Sequence, residues 1–129
     1  MGGKVDLSQN VVAQGMVQAG VGPVWMTNAS GAMKNRGFTA TVVRNGAGDY
    51  TVQLDTQYPN TDLHVDAYHV GGAIAPANGP FVVGVSSIIP GIGGLGPAIN
   101  LLIKDTNPAG AAAVDINFAI VVTLQEVSH

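Results

Sequence analysis

An all-β, antiparallel sandwich with a short extended N-terminal arm is the fold class this chain predicts. Three observations carry the prediction. Eighteen glycines and seven prolines cut the 129 residues into short β-favouring runs. Several of those runs alternate apolar and polar side chains with a period of two, and no window shows convincing helical periodicity. Hydrophobic residues make up 47% of the chain and charged residues only 10%, against about 25% charged in an average domain. A jelly-roll arrangement of the strands fits the same pattern.

Residues 1–10 are polar and glycine-led with no strand alternation, and they read as an arm that reaches towards a neighbour or, equally, as a frayed end. Residues 11–129 form one domain, long enough to bury a core without metal or disulfide staples. The stretch 8–18 is the one weak helical candidate, with Val11, Val12 and Met16 on a shared face. Gly15 and the two valines count against it. Residues 21–27, which hold the only tryptophan, Trp25, read as a strand.

The clearest unit is a hairpin. Residues 38–44 alternate, with Phe38, Ala40 and Val42 on one face. Asn45-Gly46-Ala47-Gly48 is a turn, because Asn-Gly tolerates positive φ at low cost. Residues 49–55 alternate again, with Tyr50, Val52 and Leu54 inward. After a break at Tyr58-Pro59-Asn60, residues 63–69 form a strand with Leu63, Val65 and Ala67 inward and His64, Asp66 and Tyr68 outward. A loop over 71–80 leads to an apolar strand at 81–86. A glycine-rich loop over 90–97 precedes a strand at 99–104, and Asn107-Pro108-Ala109-Gly110 turns the chain once more. Residues 115–127 alternate most cleanly, with Ile116, Phe118, Ile120, Val122 and Leu124 on the buried face of a central strand. This makes six or seven strands in all.

Composition excludes several function classes. The chain has no cysteine, which rules out disulfides and thiolate chemistry. Five Lys and Arg residues and a net charge of −3 leave no clustered basic footprint beyond Lys34 and Arg36, so nucleic acid is not expected as a partner. The opening Met1-Gly2-Gly3-Lys4 lacks a signal-peptide core and a myristoylation site. The apolar stretches are broken before they reach spanning length, so the chain is expected to be made soluble, with no membrane partner.

The motifs that could carry chemistry have plainer readings. Gly91-Ile92-Gly93-Gly94-Leu95-Gly96 spells a dinucleotide-binding turn, but a β-type run follows where a helix is required, and no cofactor is expected. The apolar tip around it, residues 86–92, reads as a flexible loop placed against a neighbouring surface. His64, Asp66 and His69 are the one concentrated titratable group. On a strand, however, His69 points away from the other two, and no metal site is expected. The remaining aspartates sit at turns and strand ends, where they bond local amides. Asn28-Ala29-Ser30 spells a glycosylation acceptor that matters only in a secretory pathway. Trp25 and the tyrosines could form a sugar-binding platform, but aromatics are 5% of the chain and most fall on inward positions or turns. No convergent catalytic group stands out, so the chain is not read as an enzyme.

The hairpin from Gly37 to Asp55, with its Gly46-Ala47-Gly48-Asp49-Tyr50-Thr51-Val52-Gln53-Leu54-Asp55 turn and strand followed by Tyr58-Pro59, is similar to a pattern in small bacteriophage virion structural proteins of the capsid decoration, or cement, type. The late apolar strand over 116–124 suits the same group. The resemblance covers about half of the chain and offers no catalytic residues to carry over. It implies a β-sandwich on the outer surface of a phage head, made in the host cytoplasm. The major capsid protein would be its partner, and three copies its usual homo-oligomer. Low charge and position suggest two contact surfaces: Lys4, Val5 and Leu7 in the arm, and Ile88, Ile89, Ile92 and Leu95 in the apolar loop. A tail or fibre component and a carbohydrate-binding sandwich are the alternatives.

Overall fold

Alternating apolar residues build eight strands in the computed structural model, which describes residues 11–26, 35–58, 63–70, 80–91, 94–106 and 113–124. The strands are β1 (Val11–Gln18), β2 (Val24–Trp25), β3 (Phe38–Gly46), β4 (Asp49–Leu54), β5 (Leu63–His69), β6 (Phe81–Ile89), β7 (Ala98–Asp105) and β8 (Phe118–Leu124). They pair antiparallel in two four-stranded sheets, β2-β1-β8-β5 and β3-β4-β7-β6, which pack face to face as a sandwich. The first strand pairs with the last, as in a jelly roll. The hairpins β3–β4 and β6–β7, however, replace the nested pairing of β2 with β7 and β3 with β6 that a jelly roll requires. Among the described residues no helix is long and apolar enough to cross a membrane.

The core lies between the two inner faces. Ala13 and Val17 of β1 and Phe118, Ile120 and Val122 of β8 come from one sheet. Tyr50, Val52 and Leu54 of β4 meet them from the other, with Ile99, Leu101 and Ile103 of β7. All of these side chains are fully buried, and their period of two is what holds each strand in register, since a one-residue slip would turn the whole set to water. Tyr50 and Phe118 touch edge to face across the sandwich, with ring centroids 5.5 Å apart.

Four elements differ from the sequence reading. Residues 11–18 are a full strand, β1, because Gly15 supplies room rather than helix: a Cβ there would collide with the Trp25 ring that lies over it. The strand around Trp25 is only two residues long, and Val21 is 86% exposed. Ala40 is exposed rather than inward, because the ladder slips between Phe38 and Val42 and the extra residues bulge outward. The supposed loop at 86–92 is strand as far as Ile89, since Ile88 and Ile89 pair with Ile99 and Ala98 on β7.

Gly37 turns the chain from one sheet to the other. Arg36 still bridges Gln14 on β1, with both backbone bonds at 2.9 Å, and Phe38 already belongs to β3. The turn needs a φ of 82° at Gly37, and its α-carbon lies so close to the Val12 carbonyl that no side chain would fit.

Candidate interaction surface

The outer face of the β3-β4-β7-β6 sheet is the most apolar exposed region of the described structure. Val82 is 52% exposed and Ile89 49%, both on β6, and Leu102 on β7 and Val43 on β3 are exposed as well. Leu95, in the loop that joins β6 to β7, adds another exposed apolar side chain. A groove of about 360 Å³ runs along this face, framed by Val82, Gly84, Val85 and Leu102, with Lys104 and Thr106 beside them. Gly84 makes its floor low, because the strand offers no side chain there.

A line of uncharged polar groups crosses the same face. Asn45 on β3 donates to the Thr51 hydroxyl on β4 at 2.8 Å. Thr51 donates in turn to Asn100 Oδ1 on β7 at 2.6 Å, and Asn100 Nδ2 donates to Ser87 on β6 at 2.8 Å. Every bond in the line points the same way, from one edge of the sheet to the other. Its groups bond one another, and Asn45 also lies 3.4 Å from Asp49 Oδ1, so the line itself can be covered with few polar groups left unpaired. The period of two places Thr51 and Asn100 outward, but only the pairing of β4 with β7 shows that they meet.

The residues expected to make contacts fall in different places. Lys4, Val5, Leu7 and Ile92 lie outside the described residues. Ile88 is half-buried and packs against the core, because the slip in register after Val85 turns it inward. Ile89 and Leu95 face solvent.

The titratable groups are placed by the strands that carry them. His64 Nε2 and Asp66 Oδ2 meet at 3.3 Å on the open face of β5, both well exposed, while His69 lies edge-on to Phe81 with ring centroids 5.2 Å apart. No three His or carboxylate side chains converge on a metal geometry among the described residues.

A second cluster escaped the sequence reading. Asp115, just before β8, accepts Arg44 Nη2 at 2.8 Å, the Gly48 amide at 2.9 Å and the Tyr50 hydroxyl at 2.6 Å. Burial alone would raise the Asp115 pKa. The bonds from Arg44, Gly48 and Tyr50 outweigh it and hold the carboxyl down at about 2. Burial of the phenol and its bond to Asp115 push Tyr50 up to about 12. The Arg44 guanidinium is raised as well, first by its bond to Asp115. The partners lie on β3, on β4 and before β8, so the cluster ties the hairpin of one sheet to the last strand of the other.

Gly91 and Gly96 serve tight packing. A side chain on Gly96 would run into the carbonyls of Leu54 and Thr56, and β7 starts two residues later where a phosphate-binding turn would need a helix. The aromatics are mostly inside: Phe38, Tyr50 and Phe118 are buried, Trp25, Tyr58 and Phe81 pack against the core, and Tyr68 is the exposed one at 48%. Compared with known proteins, the chain matches no family model, no curated protein and no solved structure.

Proposed function

We propose that this chain is a structural virion protein that binds the outer surface of a phage capsid and stabilises it. The observation that carries the reading is the charge-poor outer face of β3-β4-β7-β6, where Val43, Val82, Ile89 and Leu102 surround the Asn45–Thr51–Asn100–Ser87 line and Asp49 and Lys104 bring the charge. Such a face suits lasting contact with a protein surface, since its apolar groups gain from cover and its polar groups are already bonded. The hairpin resemblance supplies the class of partner, the major capsid protein, and three copies as the number of subunits it implies. Ile89 is the member of the apolar contact set that this face offers, and Leu95 stands exposed in the loop between β6 and β7.

The mechanism is linkage. A protein that binds only the assembled shell stabilises it by about 2.7 kcal/mol per site when its free concentration is about a hundred times Kd. The test is the copy number of this chain in purified virions, by quantitative mass spectrometry against the major capsid protein. A ratio near that of the coat is the expected result. A small fraction would move the chain to the tail or fibres, and absence from the particle would overturn the reading. Ile89→Lys and Leu95→Lys should each lower occupancy on the shell.

A further inference from the structure

The groove on the outer face of β3-β4-β7-β6 combines an apolar trough with a single cation at one end. Gly84 sets its floor, and a Cβ built there meets no atom within 4 Å, so the strand leaves an empty place under the groove. Val82, Val85 and Leu102 wall it, each with a third or more of its surface exposed. The lining follows β6 from Val82 to Ser86, about 13 Å of extended strand. Its volume, about 360 Å³, falls within the range of sites that take small ligands.

Lys104 supplies the cation. It pairs with Val82 across the β6–β7 ladder, at the Val82 end of the trough, and its side chain is exposed. Among the described residues its ammonium has no ion-pair partner. Thr106 lies beside it, but its hydroxyl already donates to the Pro80 carbonyl at 2.6 Å, so Lys104 is the donor that faces a ligand there. The other charge on the face, Asp49, belongs to β4 and pairs with Leu102, which puts it behind the opposite wall. Asp49 Oδ1 also lies 3.4 Å from the Asn45 amide. A narrow apolar trough that ends at an ammonium is complementary to an aliphatic chain that ends in an anion. A flat protein surface laid over the face would leave the trough beneath it unfilled, whereas one aliphatic chain fills it.

We propose that this groove binds a medium-chain fatty carboxylate, with the chain laid along β6 over Gly84 and the carboxylate on Lys104 Nζ. The ligand would share Val82 and Leu102 with the capsid contact, but the site rests on no part of that reading, and its binding is measured on the free protein. Calorimetric titration of the purified chain with decanoate, below the concentration at which it forms micelles, should show saturable binding. Octanoate should bind more weakly, by up to about fourfold for each methylene removed. Gly84→Leu fills the floor while meeting nothing in its own chain, so it should abolish binding and leave far-ultraviolet circular dichroism and Trp25 fluorescence unchanged. Lys104→Met keeps the apolar stem and removes the charge. It should weaken decanoate about fivefold and leave the binding of decanol, the uncharged analogue, as it is in the wild type. An absence of saturable decanoate binding, binding indifferent to Gly84→Leu, or a Lys104→Met protein that loses decanol as much as decanoate would each overturn the proposal.

Discussion

The Tyr50 hydroxyl donates a 2.6 Å hydrogen bond to Asp115 Oδ1 and accepts one of 2.7 Å from the Gly20 amide. One phenol thus joins β4, the approach to β8 and the turn after β1, which lie far apart in the chain. The ring below it is fully buried against Phe118. Tyr50→Phe keeps that packing and removes only the hydroxyl, which leaves the Gly20 amide without its acceptor. We expect a loss of about 1–2 kcal/mol in urea unfolding. A variant as stable as the wild type would show that the bond contributes nothing net.

The same cluster sets an acid limit. Asp115 titrates at about 2 in the folded chain against an ordinary value of 3.8. A lowered carboxyl contributes stability that is fully present above the ordinary value and is lost as pH falls through the folded one. The excess stability of the wild type over Asp115→Asn should therefore be constant from neutrality to about pH 5 and shrink between about pH 4 and pH 2. Urea midpoints of both proteins across that range test it, and an excess unchanged at pH 2 would refute it.

Tyr50 gives the opposite sign at the alkaline end. Its pKa is raised from 10.0 to about 12, so its contribution is complete below pH 10 and disappears as pH rises through the folded value. Tyr50→Phe should lose less of its stability than the wild type between about pH 10 and pH 12. Chemical unfolding monitored by circular dichroism, whose backbone signal does not depend on the phenol, makes the comparison.

Trp25 offers a local reporter. Its ring lies over Gly15, stacks on Phe38 with centroids 4.9 Å apart, and donates from Nε1 to the Thr39 carbonyl at 2.9 Å. Gly15→Val puts a side chain where the ring is. The single tryptophan must move outward, which should shift its emission to the red and cost about 1–3 kcal/mol. An unshifted spectrum with unchanged stability would show that β1 and β2 can separate without strain.

Phe118 sits at the centre of the core with no exposed surface. Phe118→Ala should destabilise the fold by about 3–5 kcal/mol, the range for an aromatic removed from a packed interior. Thermal unfolding gives the measurement, and a small effect would mean that the two sheets collapse readily into the space left.

Much of the architecture was legible from residue order. The alternation of Tyr50, Val52 and Leu54, of Leu63, Val65 and Ala67, and of Phe118, Ile120 and Val122 placed each set on a buried face, as the structure has them or nearly so. β1 was harder, since Val11, Val12 and Met16 suit a helix face as well as a strand, and the reason for Gly15 lies ten residues away at Trp25. The extent of β6 was also hidden. Ser86 to Ile89 loses its alternation at the slip in register, and only the partner β7 shows that the ladder continues.

The candidate surface divides in the same way. Sequence by itself determined that the chain is poor in charge, free of cysteine, built of short alternating strands and turned within Asn45-Gly46-Ala47-Gly48, because these follow from side-chain chemistry and local backbone preference, although the structure carries Asn45 and Gly46 in β3 and puts the positive φ at Gly48. Tertiary structure alone decided that Arg44 and Tyr50 meet Asp115, that Asn45, Thr51, Asn100 and Ser87 form one line, and that Ile88 turns inward while Ile89 does not. The physical reason is register. A strand's own residues settle which side chains share a face, but which of them become neighbours depends on the strand across the ladder, and that strand can come from anywhere in the chain.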